Sequence, residues 1–161
     1  MDIIYTILGG VGVLLLGALP LLFFIKRKKK SPFSIELVNL AAKSNCKISE
    51  STVESLFAIG IDYDSHYLFF IRKQAHNNMT LSINLLDVNK CKIANSNNRS
   101  GNSSVVDKRS LIIEYKEKEA QNVSLLFYDA DQDAISIEAQ YQNANKWMKI
   151  VEVELSKIAN N

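Results

Sequence analysis

An uninterrupted apolar stretch opens the chain. Ile3–Ile25 spans 23 residues without a charged side chain, and it ends at five consecutive cations: Lys26, Arg27, Lys28, Lys29 and Lys30. A helix needs about 20 apolar residues to cross a bilayer, and a single segment can pair all its backbone groups internally only as a helix. The pattern therefore predicts a single-pass transmembrane helix at residues 3–25, followed by a basic stop-transfer run at residues 26–30.

The charges on either side of this stretch predict its orientation. Only Met1 and Asp2 precede it, whereas five cations follow it, and Lys and Arg are retained on the cytoplasmic side. We expect the N-terminus outside, the rest of the chain in the cytoplasm at the inner membrane, and the five cations among the lipid head groups. A cleaved signal peptide is the alternative, but its cations would precede the apolar region. The small residues of the stretch leave a helix dimer open.

Beyond the cations, the apolar period changes from helical to alternating. Residues 31–45 form a linker with a short helix from Ser34 to Asn45; Ser34 is its expected N-cap, and its apolar face is expected to pack on the domain rather than on a partner. After Cys46, segments with a period of two predict strands at residues 56–61, 67–72, 81–85, 87–94, 111–115 and 123–127. The polar interval Asn95–Asp107 is expected to be a mobile loop. Strands that follow one another without a helix predict an antiparallel meander.

The last predicted element is an amphipathic helix at about residues 137–159. Its apolar residues step by four and three along one stripe: Ile137, Tyr141, Ala144, Met148, Val151, Leu155 and Ile158, widened by Trp147. The charged residues Lys146, Lys149, Glu152 and Glu154 are expected on the opposite face. A coiled coil is one interpretation of three heptads, but the simpler one is a helix that covers the open end or face of the sheet.

Charge and cysteine content argue against two classes of function. Residues 31–161 carry 14 Lys and Arg against 16 Asp and Glu, without the clustered positive face of a nucleic-acid binder. No nucleic-acid partner is therefore expected. Cys46 and Cys91 match no zinc-ligand spacing, and two thiols in a reducing compartment are expected to be structural.

An acidic stretch before the final helix is the best candidate for a metal site. Asp129, Asp131 and Asp133 match three positions of a calcium loop, but Ala134 replaces its glycine and Gln140 replaces its bidentate glutamate. Acidic residues before a helix also complement the helix dipole, so we expect no metal there. The sequence contains no recognised catalytic motif, and we expect neither an enzyme nor a cofactor.

Several short stretches carry a resemblance to known proteins: Asn45–Glu50, Ile59–Asp62, Ser82–Leu85 with Cys91, Phe127–Asp129 and Lys146–Trp147. They are similar to stretches of uncharacterised bacterial single-span membrane proteins. The strand order, with a Trp on the last helix, resembles the pleckstrin-homology-like (PH-like) superfamily. The resemblance implies an α+β domain at residues 46–161, an antiparallel PH-like sheet or barrel of six to seven strands capped by a C-terminal amphipathic helix.

The same resemblance implies a binding module rather than a catalyst, and it gives Trp147 a structural role. Phosphoinositide-binding members of the superfamily carry cations around their first hairpin, whereas the turn here is Asp62-Tyr63-Asp64. These carboxylates repel phosphate, so a phosphoinositide ligand is not expected.

Together these features predict a membrane-tethered cytoplasmic interaction or scaffold module that binds a protein partner at the inner membrane. Candidate contacts are Leu68, Phe70 and Ile112, which alternate with residues expected in the core, and Arg99 in the polar loop. The N-terminal helix is an alternative cover for the apolar ones. The bilayer and self-association are further expected interactions. The alternative function is a membrane-anchored sensor of a small molecule or of calcium at Asp129–Asp133.

Overall fold

A computed structural model of the chain describes residues 31–74, 77–100, 103–117, 119–131 and 137–160. The described residues all belong to one compact unit, 31–161. The predicted transmembrane helix at 3–25 and the basic run at 26–30 lie outside the described residues. Within the described ranges, neither helix is long and apolar enough to cross a membrane.

The two described helices lie near the predicted positions. Helix α1 is Pro32–Lys43 and helix α2 is Ile137–Asn160. The start of α1 differs from the prediction: Ser31, not Ser34, is the N-cap, and its side chain forms no capping hydrogen bond. Pro32 explains the difference, because its fixed φ suits the first helical position, where no N–H is needed.

Seven strands form two antiparallel sheets. The first sheet has the order β1-β2-β3-β4 and the second the order β5-β6-β7. The strands of the first sheet are Glu50–Val53, Phe57–Asp62, Tyr67–Arg72 and Met79–Asn84. Those of the second are Val88–Ser100, Ser103–Tyr115 and Val123–Asp129.

This arrangement corrects the predicted fold class. A single PH-like sheet or barrel of six to seven strands is wrong, because the described strands form two separate sheets and close no barrel. The break falls at a 3-10 turn, Leu85–Asp87, where the Asn84 side chain accepts a hydrogen bond from the Leu86 N–H. The strands predicted at residues 81–85 and 87–94 are separated by a single residue, so the sequence pattern suggested that pairing continues from one to the next.

The main core lies between the two sheets and α2. The β2–β3 hairpin places Ile59 opposite Phe70 and Ile61 opposite Leu68, and all four side chains are fully buried. Leu111, Ile113, Leu125 and Phe127 face them from the second sheet, and Ala144, Trp147 and Val151 from α2. Leu68 and Phe70 were therefore wrongly expected at the surface, because they share the core-facing side of the sheet with Phe57 and Ile59.

A second, smaller cluster covers the other face of the first sheet. Leu37 and Ala41 of α1 pack with Ala58, Phe69 and Ile71, which confirms that the apolar face of α1 packs on the domain. Both faces of β2 and β3 are consequently buried. Such strands read as continuous apolar runs, which makes the solvent side hard to assign from sequence.

The predicted mobile loop at Asn95–Asp107 is wrong over most of its length. Strands β5 and β6 continue through it, pairing Asn95 with Arg109 and Ser100 with Ser103, with a register shift between Ser96 and Asn97. Backbone groups make these pairs, so polar side chains do not prevent them. The sequence signal that was missed is Gly101-Asn102, a residue pair typical of two-residue hairpin turns.

Candidate binding cleft

Of the three acidic candidates before α2, Asp129 is engaged in internal contacts. Asp129 is 1% exposed, its carboxylate lies 3.2 Å from Lys108 Nζ, and it accepts a hydrogen bond from the Asp131 N–H. Asp131 is exposed, and Asp133 lies outside the described residues. The part of the chain that the structure describes contains no group of three side chains able to hold a metal ion.

The remaining partner candidates are not brought together. Ile112 lies half-buried on β6, opposite Lys92 and Ser124, on the face that points away from the core. The backbone of Arg99 pairs with Ser104, while its side chain lies outside the described residues.

The structural role predicted for Trp147 agrees with its position. The indole is fully buried, and its Nε1–H donates a hydrogen bond of 2.9 Å to Thr52 Oγ1 on β1. Asn143 donates to Glu54 at 3.0 Å, so two side chains of α2 join the edge of the first sheet. The helix thus packs on the second sheet and is hydrogen-bonded to the first.

The expected exposure of Glu154 is wrong. The residue is 1% exposed; its Oε1 lies 2.8 Å from His66 Nδ1 and its Oε2 lies 3.0 Å from Lys157 Nζ. Glu154 follows Trp147 by seven residues, which places both on one helix face. That spacing could have revealed its burial, but the pairing with the distant His66 had no signal in the sequence.

The acidic turn of the first hairpin also has a structural role. Asp62 is buried and its carboxylate accepts hydrogen bonds from the N–H groups of Lys47, Asp64 and Ser65 at 2.8, 3.0 and 3.2 Å. Burial acts to raise the pKa of this carboxyl, but the three hydrogen bonds outweigh it and lower the pKa below its ordinary value. The charge of Asp62 therefore stabilises its own turn.

A large open cleft lies where the first sheet meets the edge of the second. Its volume is about 1180 Å³. The lining residues come from the ends of β2, β3 and β4 and from β6 and β7: Leu56, Arg72, Lys73, Gln74, Asn77, Met79, Lys108, Ser110, Ser124 and Leu126. Leu56, Met79 and Leu126 are half-buried, which gives the cleft an apolar floor.

Arg72 holds the two sheets together at this cleft. It is only 2% exposed, and its Nη1 donates hydrogen bonds to the carbonyl oxygens of Leu126 and Phe127 at 3.1 and 3.4 Å. Strand β7 is the outer strand of its sheet, and its pairing with β6 shifts register beside Leu126. Arg72 therefore covers part of an edge that would be open to pairing with another chain.

The charged side chains in the described lining of the cleft are positive. Its described lining residues include three cations and no carboxylate. Lys108 forms an ion pair with Asp129. Lys73 is exposed and forms no ion pair within the described part of the chain. Two smaller clefts of about 340 and 470 Å³ are lined by residues of both signs.

Sequence reasoning did not find this cleft. Its members are separated by as many as 70 positions between Leu56 and Leu126, and no motif links them, so only the sheet topology brings them together. No known protein family, curated protein or solved structure matches the chain.

Proposed function

We propose that residues 31–161 form a protein-interaction module, held at the cytoplasmic face of the inner membrane by residues 3–25, and that a segment of the partner binds in the cleft. The observation that carries this proposal is the form of the cleft. At about 1180 Å³ it exceeds the roughly 300–1,000 Å³ of sites that enclose small molecules, and it is open rather than enclosed.

The lining supports a macromolecular partner. Protein interfaces have an apolar centre surrounded by polar groups. Here Leu56, Met79 and Leu126 supply the apolar centre, while Ser110 and Ser124 supply polar groups from the second sheet. Side chains of a partner bound in the cleft would therefore contact both apolar and polar groups.

The apolar stretch and its cations support the membrane location. A tether keeps the module in a thin layer at the membrane, where the effective concentration of a membrane-bound partner rises without any new contact. A weak cleft contact then suffices for stable association. A reporter fused after Asn161 should be active in the cytoplasm; activity confined to the outer side would contradict the orientation.

Site-specific photo-cross-linking tests the cleft as a binding surface. A photoreactive residue replaces Ser124 in the cleft or, as a control, exposed Asn89 on β5, two strands away on the far edge of the same sheet. The full-length protein is irradiated in its own membranes. We expect one partner protein linked through position 124 and absent at position 89. Equal yields at both positions, or no protein adduct at position 124, would refute the proposal.

A further inference from the structure

We infer that the partner segment recognised by the cleft is acidic and carries at least one apolar side chain. This inference rests on the proposed function and adds the chemistry of the ligand. Three features of the lining lead to it: its charge, its apolar floor and its amide and hydroxyl groups.

The charged residues that line the cleft differ in sign from the excess charge of the unit as a whole. Residues 31–161 contain more Asp and Glu than Lys and Arg, 16 against 14. By contrast, every charged residue in the described lining of the cleft is a cation. Arg72 is fixed against β7 and Lys108 against Asp129, so Lys73 is the cation with the greatest freedom to meet a carboxylate. Complementary charge of this kind selects partners and accelerates encounter.

The apolar floor of the cleft indicates that the ligand carries an apolar group as well as a negative charge. Leu56, Met79 and Leu126 are half-buried and lie in one depression. An apolar side chain placed there removes surface from water on both molecules, at about 25 cal/mol per Å². A purely anionic ligand would leave this surface exposed.

The polar groups suit an extended peptide backbone. Gln74 and Asn77, between β3 and β4, provide amides, and Ser110 of β6 and Ser124 of β7 provide hydroxyls. Amides and hydroxyls both donate and accept hydrogen bonds, as the N–H and C=O groups of an extended segment require. Among the described lining residues there is no aromatic ring on which a nucleic-acid base could stack.

Charge reversal at the rim tests the inference in the full-length protein. The photoreactive residue stays at position 124, and the partner adduct is quantified in the K73E, K73Q and K90E variants. Lys90 is the matched control, because it is equally a surface lysine but lies on β5 and pairs with Glu114 at 3.2 Å. We expect K73E to lower the adduct yield about 3- to 10-fold, K73Q to lower it less, and K90E to leave it unchanged.

The linked peptide itself gives the second readout. Mass spectrometry should identify a partner segment with net negative charge and an apolar residue near the link. A neutral or basic segment, a yield insensitive to K73E, a lipid adduct, or a link to another part of the same chain would each overturn the inference. A partner protein linked through a non-acidic segment would leave the proposed function standing, whereas the absence of any protein adduct would remove both.

Discussion

Gly60 controls how closely α1 approaches the first sheet. It lies on β2 opposite Phe69, on the face that α1 covers. A Cβ added at this position would lie 3.0 Å from Leu37 Cδ2 and 3.1 Å from Ile48 Cδ1. Both distances are shorter than ordinary van der Waals contact, and Leu37 is only 1% exposed, so it has little room to move.

Two opposing effects set the expected magnitude for G60A. Overpacking of a core costs about 1–3 kcal/mol. Replacing glycine with alanine restricts the unfolded chain and recovers about 0.4–1 kcal/mol. We therefore expect G60A to lower the free energy of unfolding by about 1–2 kcal/mol, which corresponds to a fall in melting temperature of roughly 4–8 °C.

Urea unfolding of residues 31–161 measures this change. S51A is the matched control, because Ser51 pairs with Gly60 but is exposed, and it should change stability by less than about 0.5 kcal/mol. L37A removes the nearest methyl group, so the double variant should be more stable than the sum of the two single losses by at least about 0.5 kcal/mol. A neutral or stabilising G60A, or strict additivity with L37A, would refute the reasoning.

Three further predictions concern contacts described above. T52V deprives the buried Trp147 N–H of its acceptor and should cost about 1–3 kcal/mol by thermal unfolding; an equal loss in a W147F background would contradict this explanation. Because the pKa of Asp62 is lowered on folding, its contribution is complete above its ordinary pKa of 3.8 and is lost as pH falls through the folded-state value. Urea titrations between about pH 2 and 6 should therefore show a weaker pH dependence in D62N, and an unchanged dependence would count against the assignment. Burial, with a smaller contribution from the charge of Glu152, raises the pKa of the Cys91 thiol to about 11, and Cys46 is also buried. Ellman's reagent at neutral pH should modify neither thiol until the protein is unfolded, and fast modification of the native protein would contradict their burial.

Local alternation predicted the β2–β3 hairpin well. The sequence placed Phe57, Ile59 and Ile61 on one face of β2, and the structure buries all three in the main core. The polar turn after Asp62 was also placed correctly, since β2 ends there and β3 begins at Tyr67. A period of two and turn residues are local signals, which a single sequence carries in full.

Long-range assembly could not be predicted in the same way. Leu68 and Phe69 are both fully buried, although adjacent residues of a strand point to opposite faces. Burial of each face of the first sheet depends on where α1 and α2 dock. The residues that determine this docking are distributed over the chain. The same holds for three other features: the register between separate strands, the break at Leu85–Asp87 and the positive cleft. In contrast, the position of α2 at about 137–159 could be predicted from one local apolar stripe.

The hydrogen bond between Trp147 and Thr52 spans 95 positions of the chain, and this separation has a consequence for synthesis. During translation, the first sheet leaves the ribosome well before the helix that completes its core. At about 5–20 residues per second, the intervening segment takes roughly 5–20 s to emerge, during which the apolar side chains of β2 and β3 lack α2. Such distant pairings also slow folding once the chain is complete. The apolar core of the first sheet is therefore expected to be completed only after α2 has been synthesised.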